Sequence, residues 1–193
     1  MILHHWGNID YVQAREKMND VHDQAAKDRK NHLIFCEHTP VFTVGKNDNN
    51  IWPVAVLQTD RGGSITCHSP GQLVCYFCFQ VPDPMIFYRR VRRSFETLFA
   101  ELLPEVFYDP KQAGFYIENR KIASLGFRYA KGVSLHGVSI NVDVDLDLHN
   151  RVTPCGIDGI VATSMKEEGI EMTMKEMETL VLKHIGEGFD ESV

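Results

Sequence analysis

The sequence predicts an α/β (α+β) domain in which a few helices pack on a mixed β-sheet. Short apolar or alternating runs, typical of strands, outnumber the helical patterns, which are few and long. The chain has 193 residues, of which 44% are hydrophobic, so it can bury one sizeable core. No repeat or low-complexity tract divides it, and we expect a single domain over residues 1–193.

Apolar runs bounded by polar residues predict the strands of the first half. These runs cover residues 2–6, 32–38, 41–45, 64–68 and 72–81. Pro40 separates the second run from the third, because proline has no N–H group to donate to a neighbouring strand. Between the first two runs, apolar residues recur at helical spacing, and either Asn8 or Asp10 can cap the start of that helix.

The second half predicts two amphipathic helices and a pair of adjacent strands. The first helix covers residues 84–106 and has a regular apolar face. The second covers residues 172–189, where Gly186 and Gly188 are expected to end it. The paired strands are expected over 121–129 and 133–142, with short strands before them and one more strand near residues 156–165.

Charge and composition exclude several classes of protein. A net charge of −6 argues against a general nucleic-acid-binding protein, which is usually basic. No apolar run reaches the length of a membrane span, and the first residues lack the pattern of a signal peptide. The 5 cysteines are an odd number without the spacing of a secreted disulfide framework. We therefore expect a cytoplasmic protein with reduced thiols, and neither nucleic acid nor membrane as a partner.

Neither the histidines nor the CxxC pair predicts a metal site. Of the 9 histidines, none forms an HxxxH or HxH pair beside a carboxylate, and His4 and His5 would point to opposite faces of a strand. Cys75 and Cys78 lie in an apolar run without a second cysteine pair, which favours a structural role in the core. We expect no bound metal.

The stretch from Lys121 to Cys155 carries the residue types of thiol chemistry. A cysteine attacks a carbonyl carbon as the thiolate, and a nearby ammonium group lowers the pKa of the thiol. A lysine that has given up its proton can also act as a base. Spacing alone leaves open that Lys121 is a solvated lysine and Cys155 a buried, unreactive cysteine.

Four segments occur in an order that marks a known enzyme family. They are DRGGSITCHSPGQLV (60–74), KIASLGFR (121–128), LHGVSINV (135–142) and TPCGI (153–157). Together they resemble the octanoyl-[acyl-carrier-protein]:protein N-octanoyltransferases, also called lipoyl(octanoyl) transferases. The resemblance extends from about Glu37 to Met165, and it implies the fold of the catalytic module of biotin and lipoate protein ligases.

The resemblance implies an acyltransferase of lipoate biosynthesis that works in two steps and without ATP. Cys155 matches the cysteine that accepts the octanoyl group as a thioester, and Lys121 matches the lysine that lowers its pKa and shuttles protons. The donor would be octanoyl-acyl carrier protein, which carries its own phosphopantetheine, so no further cofactor is expected. The acceptor would be a lysine on the lipoyl domains of 2-oxoacid dehydrogenases or on the glycine-cleavage H protein.

The resemblance also implies a substrate-binding set that forms a narrow slot for the acyl chain. One wall consists of Arg61, Gly62, Gly63, Ser64, Ile65, Thr66, Cys67 and His68, and the other of Ser124, Leu125, Gly126, Gly137, Val138 and Ser139. His136 would support this site, and His68 would orient Lys121 or the thioester. For both histidines, a purely structural hydrogen-bonding role remains equally open.

The sequence departs from the family pattern at three positions near the implied site. Cys67 stands where the family has an aromatic residue, Ser69 where it has glycine, and Thr153 where it has asparagine. These differences can alter the shape of the slot or the preferred acyl length, but they remove no reacting group. Cys67 also brings a second thiol near the site, where it could react or pair with Cys155.

Three other functions remain open beside the transferase. An ATP-dependent lipoate or octanoate protein ligase would share the fold, but it would need no cysteine nucleophile. A non-catalytic binding module for acyl carrier protein would not need Lys121 and Cys155. A cysteine hydrolase would have to let water compete for the thioester.

An arginine patch on the helix over 84–106 has two interpretations. Arg89, Arg92 and Arg93 fall largely away from the apolar face, as in an ordinary solvated helix. Alternatively, they form a docking patch for an acidic partner such as acyl carrier protein, since complementary charge speeds encounter.

Overall fold

The structure is a computed structural model that describes residues 1–153 and 159–191. Within these residues the helices are α1 (Tyr11–Asp28), α2 (Pro84–Leu102), α3 (Leu146–His149) and α4 (Met174–Phe189). The strands are β1 (Ile2–Ile9), β2 (His32–His38), β3 (Val41–Val44), β4 (Leu57–Gln58), β5 (Thr66–His68), β6 (Gln72–Cys78), β7 (Phe107–Asp109), β8 (Gly114–Ile117), β9 (Arg120–Ala130), β10 (Val133–Asn141) and β11 (Val161–Ala162).

The strands form a large mixed sheet and a small second sheet. The large sheet has the order β1-β2-β6-β10-β9-β8-β7, and β11 pairs with β9 at its N-terminal end. β1 is parallel to β2 and β11 is parallel to β9, whereas the other pairs of this sheet are antiparallel. The small sheet has the order β4-β3-β5. The predicted fold class, a mixed sheet with a few helices, is confirmed.

Helices cover both faces of the large sheet. α2 and α4 pack together on one face, over an apolar core that includes Phe77, Phe79, Phe95 and Phe99. α1 packs on the other face, over a smaller cluster that includes Ile34, Val74 and Tyr76. Alternate residues of β6 belong to the two clusters, because side chains along a strand point to opposite faces.

Local sequence signals account for most of the helix ends. The side chain of Asp10 accepts hydrogen bonds from the backbone N–H groups of Val12 and Gln13, which confirms the predicted cap of α1. The prediction that α2 extends to residue 106 was wrong, since the helix ends at Leu102. Pro104 disfavours helical geometry at the residue before it, and this ends the helix although apolar residues continue.

The prediction that glycines end the C-terminal helix was also wrong. α4 continues through Gly186 and Gly188 to Phe189, and Asp190 ends it in a left-handed conformation with φ 55°. Gly188 serves helix packing instead, because a Cβ atom at this position would lie 2.1 Å from Ser94 Oγ of α2. Within residues 1–153 and 159–191, no helix is long and apolar enough to cross a membrane.

Candidate active site

Two adjoining cavities lie on the face of the large sheet that carries α1. The lysine cavity is lined by Ile65, Thr66, Cys67, Gln72, Lys121, Ala123, Ser124, Asn141, His149, Val152 and Ala162. The second cavity, called the slot below, is lined by Tyr11, Arg61, Thr66, His68, Val74, Tyr76, Ser124, Leu125, Gly126, His136, Gly137, Val138 and Ser139. Thr66 and Ser124 line both cavities, so the two cavities adjoin at β5 and β9.

A bulge in β9 turns Lys121 into the lysine cavity. Phe115 pairs with Ala123 and Tyr116 pairs with Lys121, which leaves Ile122 without an opposite residue on β8. Because of this extra residue, Lys121 and Ser124 line the same cavity although strict alternation would place them on opposite faces. The bulge therefore brings the Lys121 side chain next to the wall of the slot.

Lys121 is only 6% exposed, and its side chain packs against residues of β8. Its Nζ lies 5.5 Å from the centre of the Tyr116 ring, and the Tyr116 hydroxyl donates to Gln112 Oε1 at 2.8 Å. Gly114 makes room for the lysine, because a Cβ atom there would lie 2.6 Å from Lys121 Cε. The site thus keeps an amine away from bulk water beside an aromatic face.

His68 belongs to a hydrogen-bond network that fixes its tautomer. Its Nδ1 lies 2.6 Å from Gln72 Oε1, which only accepts, so Nδ1 carries the hydrogen. Its Nε2 then accepts from the Thr43 hydroxyl at 3.4 Å, and Thr43 Oγ1 in turn accepts from Arg61 Nη2 at 2.8 Å. Burial lowers the pKa of His68 well below the usual value, so the ring is neutral.

The same network continues toward the strand that neighbours Lys121. Gln72 Nε2 donates to the Cys67 carbonyl oxygen at 3.0 Å and to Asn141 Oδ1 at 2.9 Å. Asn141 Nδ2 donates to the Thr163 carbonyl oxygen at 2.8 Å, and the Thr163 N–H donates to the Lys121 carbonyl oxygen at 3.0 Å. His68 is therefore linked only to the Lys121 backbone, through amide and backbone groups, and this favours its structural role.

The thiols that the structure describes are protonated and unsuited to attack. Cys67 lines the lysine cavity, but burial raises the pKa of its thiol to about 12. Burial also raises the pKa of Cys78 to about 12 and that of Cys36 and Cys75 well above the usual range. Cys155 lies outside the described residues, so its pairing with Lys121 or Cys67 stays a prediction.

His149 lines the lysine cavity and was not predicted from the sequence. Its Nε2 lies 2.9 Å from Ser69 Oγ, at one of the positions where the chain departs from the family pattern. Burial lowers the pKa of His149 to about 4, so its ring is neutral near pH 7. Among residues 1–153 and 159–191, no group of three histidine, cysteine or carboxylate side chains is placed to hold a metal ion.

Sequence comparison connects this site to known enzymes. The sequence profile of the family described as Lipoyl protein ligase A/B catalytic domain matches residues 10–186. An octanoyltransferase from Chromobacterium violaceum is 35% identical over 95% of this chain and 93% of its own length. Another from Cellvibrio japonicus is 37% identical over 83% of this chain and 79% of its own length. The chain belongs to the octanoyltransferase family. Its members are acyltransferases, and the predicted resemblance is confirmed.

Solved structures show that this chain shares its fold with protein ligases. A lipoate-protein ligase A bound with ATP superposes with a TM-score of 0.76 at 14% identity, over 99% of this chain and 86% of that chain. The biotin protein ligase from Leishmania major in complex with biotin has a TM-score of 0.61 at 10% identity, over 95% of this chain and 72% of that chain. The predicted likeness to the biotin and lipoate ligase module is therefore confirmed for the fold.

The two cavities are lined by most, but not all, of the predicted binding residues. Gly62, Gly63 and Ser64 lie outside both linings; Gly62 N–H instead donates to the Phe127 carbonyl oxygen at 3.2 Å, and Ser64 Oγ donates to Asp48. The linings add residues that sequence reasoning missed: Tyr11, Gln72, Val74, Tyr76, Ala123, Asn141, His149, Val152 and Ala162. A polar residue inside an apolar strand, such as Gln72, is the signal that could have found some of them.

The arginine patch lies away from both cavities. Arg89, Arg92 and Arg93 are on α2, which packs on the face of the sheet opposite to α1, whereas the cavities lie on the α1 face. Arg92 forms an ion pair with Glu96 at 3.6 Å and stacks over Tyr108 at 5.4 Å. This placement favours the solvated-face interpretation of the patch.

Proposed function

We propose that this protein transfers an octanoyl group from acyl carrier protein to a lysine of a lipoyl domain, through a thioester on Cys155. The observation that carries the proposal is the buried Lys121, which a bulge in β9 turns into a cavity that adjoins the slot. The chain belongs to the octanoyltransferases, and this supports the same reaction. We place the reaction in the cytoplasm.

The first step loads the enzyme. The Cys155 thiolate forms a bond to the carbonyl carbon of the donor thioester, and the bond from that carbon to the phosphopantetheine sulfur breaks. The released phosphopantetheine thiolate takes up a proton. A lysine beside the cysteine favours the thiolate before the attack and can supply this proton afterwards, which is the role we assign to Lys121.

The second step forms the amide. The amine of the acceptor lysine forms a C–N bond to the thioester carbon, and the bond from that carbon to Cys155 sulfur breaks. The proton that the amine gives up passes through Lys121 to the leaving thiolate. The octanoyl chain occupies the slot during both steps, where each buried methylene contributes about 0.8 kcal/mol.

The acceptor is proposed from the neighbours of this fold. One solved structure with a TM-score of 0.73 and 14% identity, covering 99% of this chain and 84% of that chain, comes from an archaeal lipoylation system. That system comprises a bipartite lipoate protein ligase and its E2 lipoyl domain from Thermoplasma acidophilum. We propose lipoyl domains of 2-oxoacid dehydrogenases and the glycine-cleavage H protein as acceptors here, and no cofactor beyond the donor's own phosphopantetheine.

A mixture without ATP tests the proposal against its rival. The protein is incubated with octanoyl-acyl carrier protein and a lipoyl domain, and the mass of the lipoyl domain is measured. Gain of one octanoyl group is the expected result. An ATP-dependent ligase, which the shared fold keeps as the second candidate, would modify the lipoyl domain only with ATP and free octanoate. Modification under that second condition alone would contradict the proposal.

A further inference from the structure

A small ionic cluster lies at one end of the slot. Asp60 Oδ1 lies 2.6 Å from Nε2 of His136, and the other carboxylate oxygen of Asp60 pairs with Arg128. His136 is 2% exposed and lines the slot, whereas Arg128 is about half exposed. We call these three residues the Asp60 cluster. It is the point where the wall of the slot meets solvent.

The backbone at His136 is unusual and serves this contact. His136 has φ +62° in the interior of β10, a left-handed conformation that residues other than glycine seldom adopt. Leu135 belongs to the cluster under α1, so strict alternation would place His136 on the opposite face. Its ring nevertheless lies on the α1 face, 6.4 Å from the ring of Tyr76. A strained backbone of this kind persists where the surrounding contacts fix it.

The cluster holds the loop that places Arg61 in the wall of the slot. Asp60 directly precedes this loop, residues 61–64, and Gly62 N–H donates to the Phe127 carbonyl oxygen at 3.2 Å. Arg61 lines the slot and donates from Nη2 to the Thr43 carbonyl oxygen at 2.9 Å. The loop is thus fixed to β9 on one side and to β3 on the other.

The position of the cluster along the slot gives it a defined role. Lys121 lies at the start of β9, and Phe127 lies further along the same strand, at a distance of roughly 15–20 Å at about 3.3 Å per residue. Phe127 pairs with His136, so the Asp60 cluster is at the end far from Lys121. An acyl chain whose carbonyl end lies near Lys121 would therefore extend along the slot toward the Asp60 cluster.

We propose that Asp60, through His136 and Arg128, fixes the far wall of the slot and thereby limits the length of the acyl chain that the enzyme accepts. The inference rests on the proposed function, since it requires the acyl chain to occupy the slot with its carbonyl end near Lys121. Asp60 is a positioning residue here, because it holds the Arg61 loop and does not touch the reacting atoms.

The test compares acyl chains of different length in matched variants. Octanoyl-, decanoyl- and dodecanoyl-acyl carrier protein are offered to the wild type, to Asp60→Ala and to Asp60→Asn, and kcat/KM is measured for each donor. Asp23→Ala is the control, since Asp23 also pairs with a basic residue (Lys131, 2.8 Å) and a histidine (His22, 3.5 Å) but lies outside the slot.

We expect Asp60→Ala to lower the preference for octanoyl over dodecanoyl by about tenfold or more. Asp60→Asn should fall in between, because the amide keeps the size and one acceptor for His136. An unchanged length preference in both Asp60 variants, equal to that of Asp23→Ala, would overturn the proposal. If the wild type transfers no acyl group at all, the proposed function fails and this inference fails with it.

Hydrogen exchange separates the two causes of failure without relying on activity. The Gly62 amide, which donates to Phe127, should exchange slowly in the wild type and in Asp23→Ala but rapidly in Asp60→Ala. Equal protection in all three proteins would contradict the role of Asp60 in holding the loop, whatever the assay of acyl transfer gives.

Discussion

The two faces of the large sheet are built on different principles. Under α2 and α4, phenylalanine rings contact one another directly. The ring centres of Phe77 and Phe79, for example, lie 5.1 Å apart. This face stabilises the fold by removing apolar surface from water. Around the cavities on the α1 face, Gln72, Asn141 and Lys121 are buried instead. Buried polar groups cost stability unless they are hydrogen-bonded, so this second face, called the functional face below, depends on hydrogen bonds for its stability.

Removal of Lys121 should have the largest effect on the functional face. We expect Lys121→Ala to lower the rate of octanoyl transfer by about 10²–10⁴-fold, the usual contribution of a positioned proton-transfer group. Lys166→Ala is the matched control, since Lys166 is an exposed lysine that pairs with Asp143 at 2.9 Å. Both variants are compared in initial rates. Equal rates for the two would remove Lys121 from the mechanism.

Paired substitutions on the two faces should separate stability from activity. Phe99→Ala on the apolar face should cost about 3–5 kcal/mol of unfolding free energy, because Phe99 is 1% exposed and packs 4.9 Å from Phe115. The folded fraction should keep its kcat. Gln72→Leu should cost only about 1–3 kcal/mol, for the unpaired groups that it leaves at His68 and Asn141.

Gln72→Leu should also lower kcat of the folded protein, since the network that ends on the Lys121 backbone is broken. Denaturant unfolding and kinetics on the same samples check both variants. A Phe99→Ala protein that loses kcat as well as stability would show that the faces are not independent.

Acidification should destabilise the functional face through its neutral histidines. The pKa of His149 is about 4 in the folded protein against 6.5 for the free side chain, so the unfolded chain binds more protons between these values. The contribution of His149 to the free energy of unfolding is therefore fully present above about pH 6.5. It is lost as the pH falls toward 4, by at most about 3 kcal/mol. Denaturant unfolding at several pH values checks this for the wild type and His149→Phe. The variant should show a shallower loss, and identical slopes would contradict the assignment.

The smallest effect is expected on the outer surface of the apolar face. Charge reversal at Arg89 and Arg92 should change KM for octanoyl-acyl carrier protein by less than about twofold, because α2 lies on the face of the sheet opposite the cavities. This differs from the docking interpretation that the sequence left open. A clear rise of KM, measured at low ionic strength, would contradict this expectation and support the docking interpretation.

The comparison of faces also explains what the sequence could predict. Apolar periodicity predicted the helix that begins at Pro84, and the capping residues Asn8 or Asp10 predicted the start of α1. Both signals depend only on neighbours in sequence. The family motifs predicted most residues of the slot. The bulge at Ile122, the left-handed His136 and the meeting of Ser69 with His149 depend on strand pairing and long-range contacts. Patterns of three to seven residues do not contain that information.

The most direct test of the account is the intact mass of the enzyme after brief exposure to octanoyl-acyl carrier protein without acceptor. We expect a gain of one octanoyl group that hydroxylamine removes, absent in Cys155→Ser and slow to form in Lys121→Ala. An unmodified wild type that still produces octanoylated lipoyl domain would contradict the thioester on Cys155 and the role assigned to Lys121.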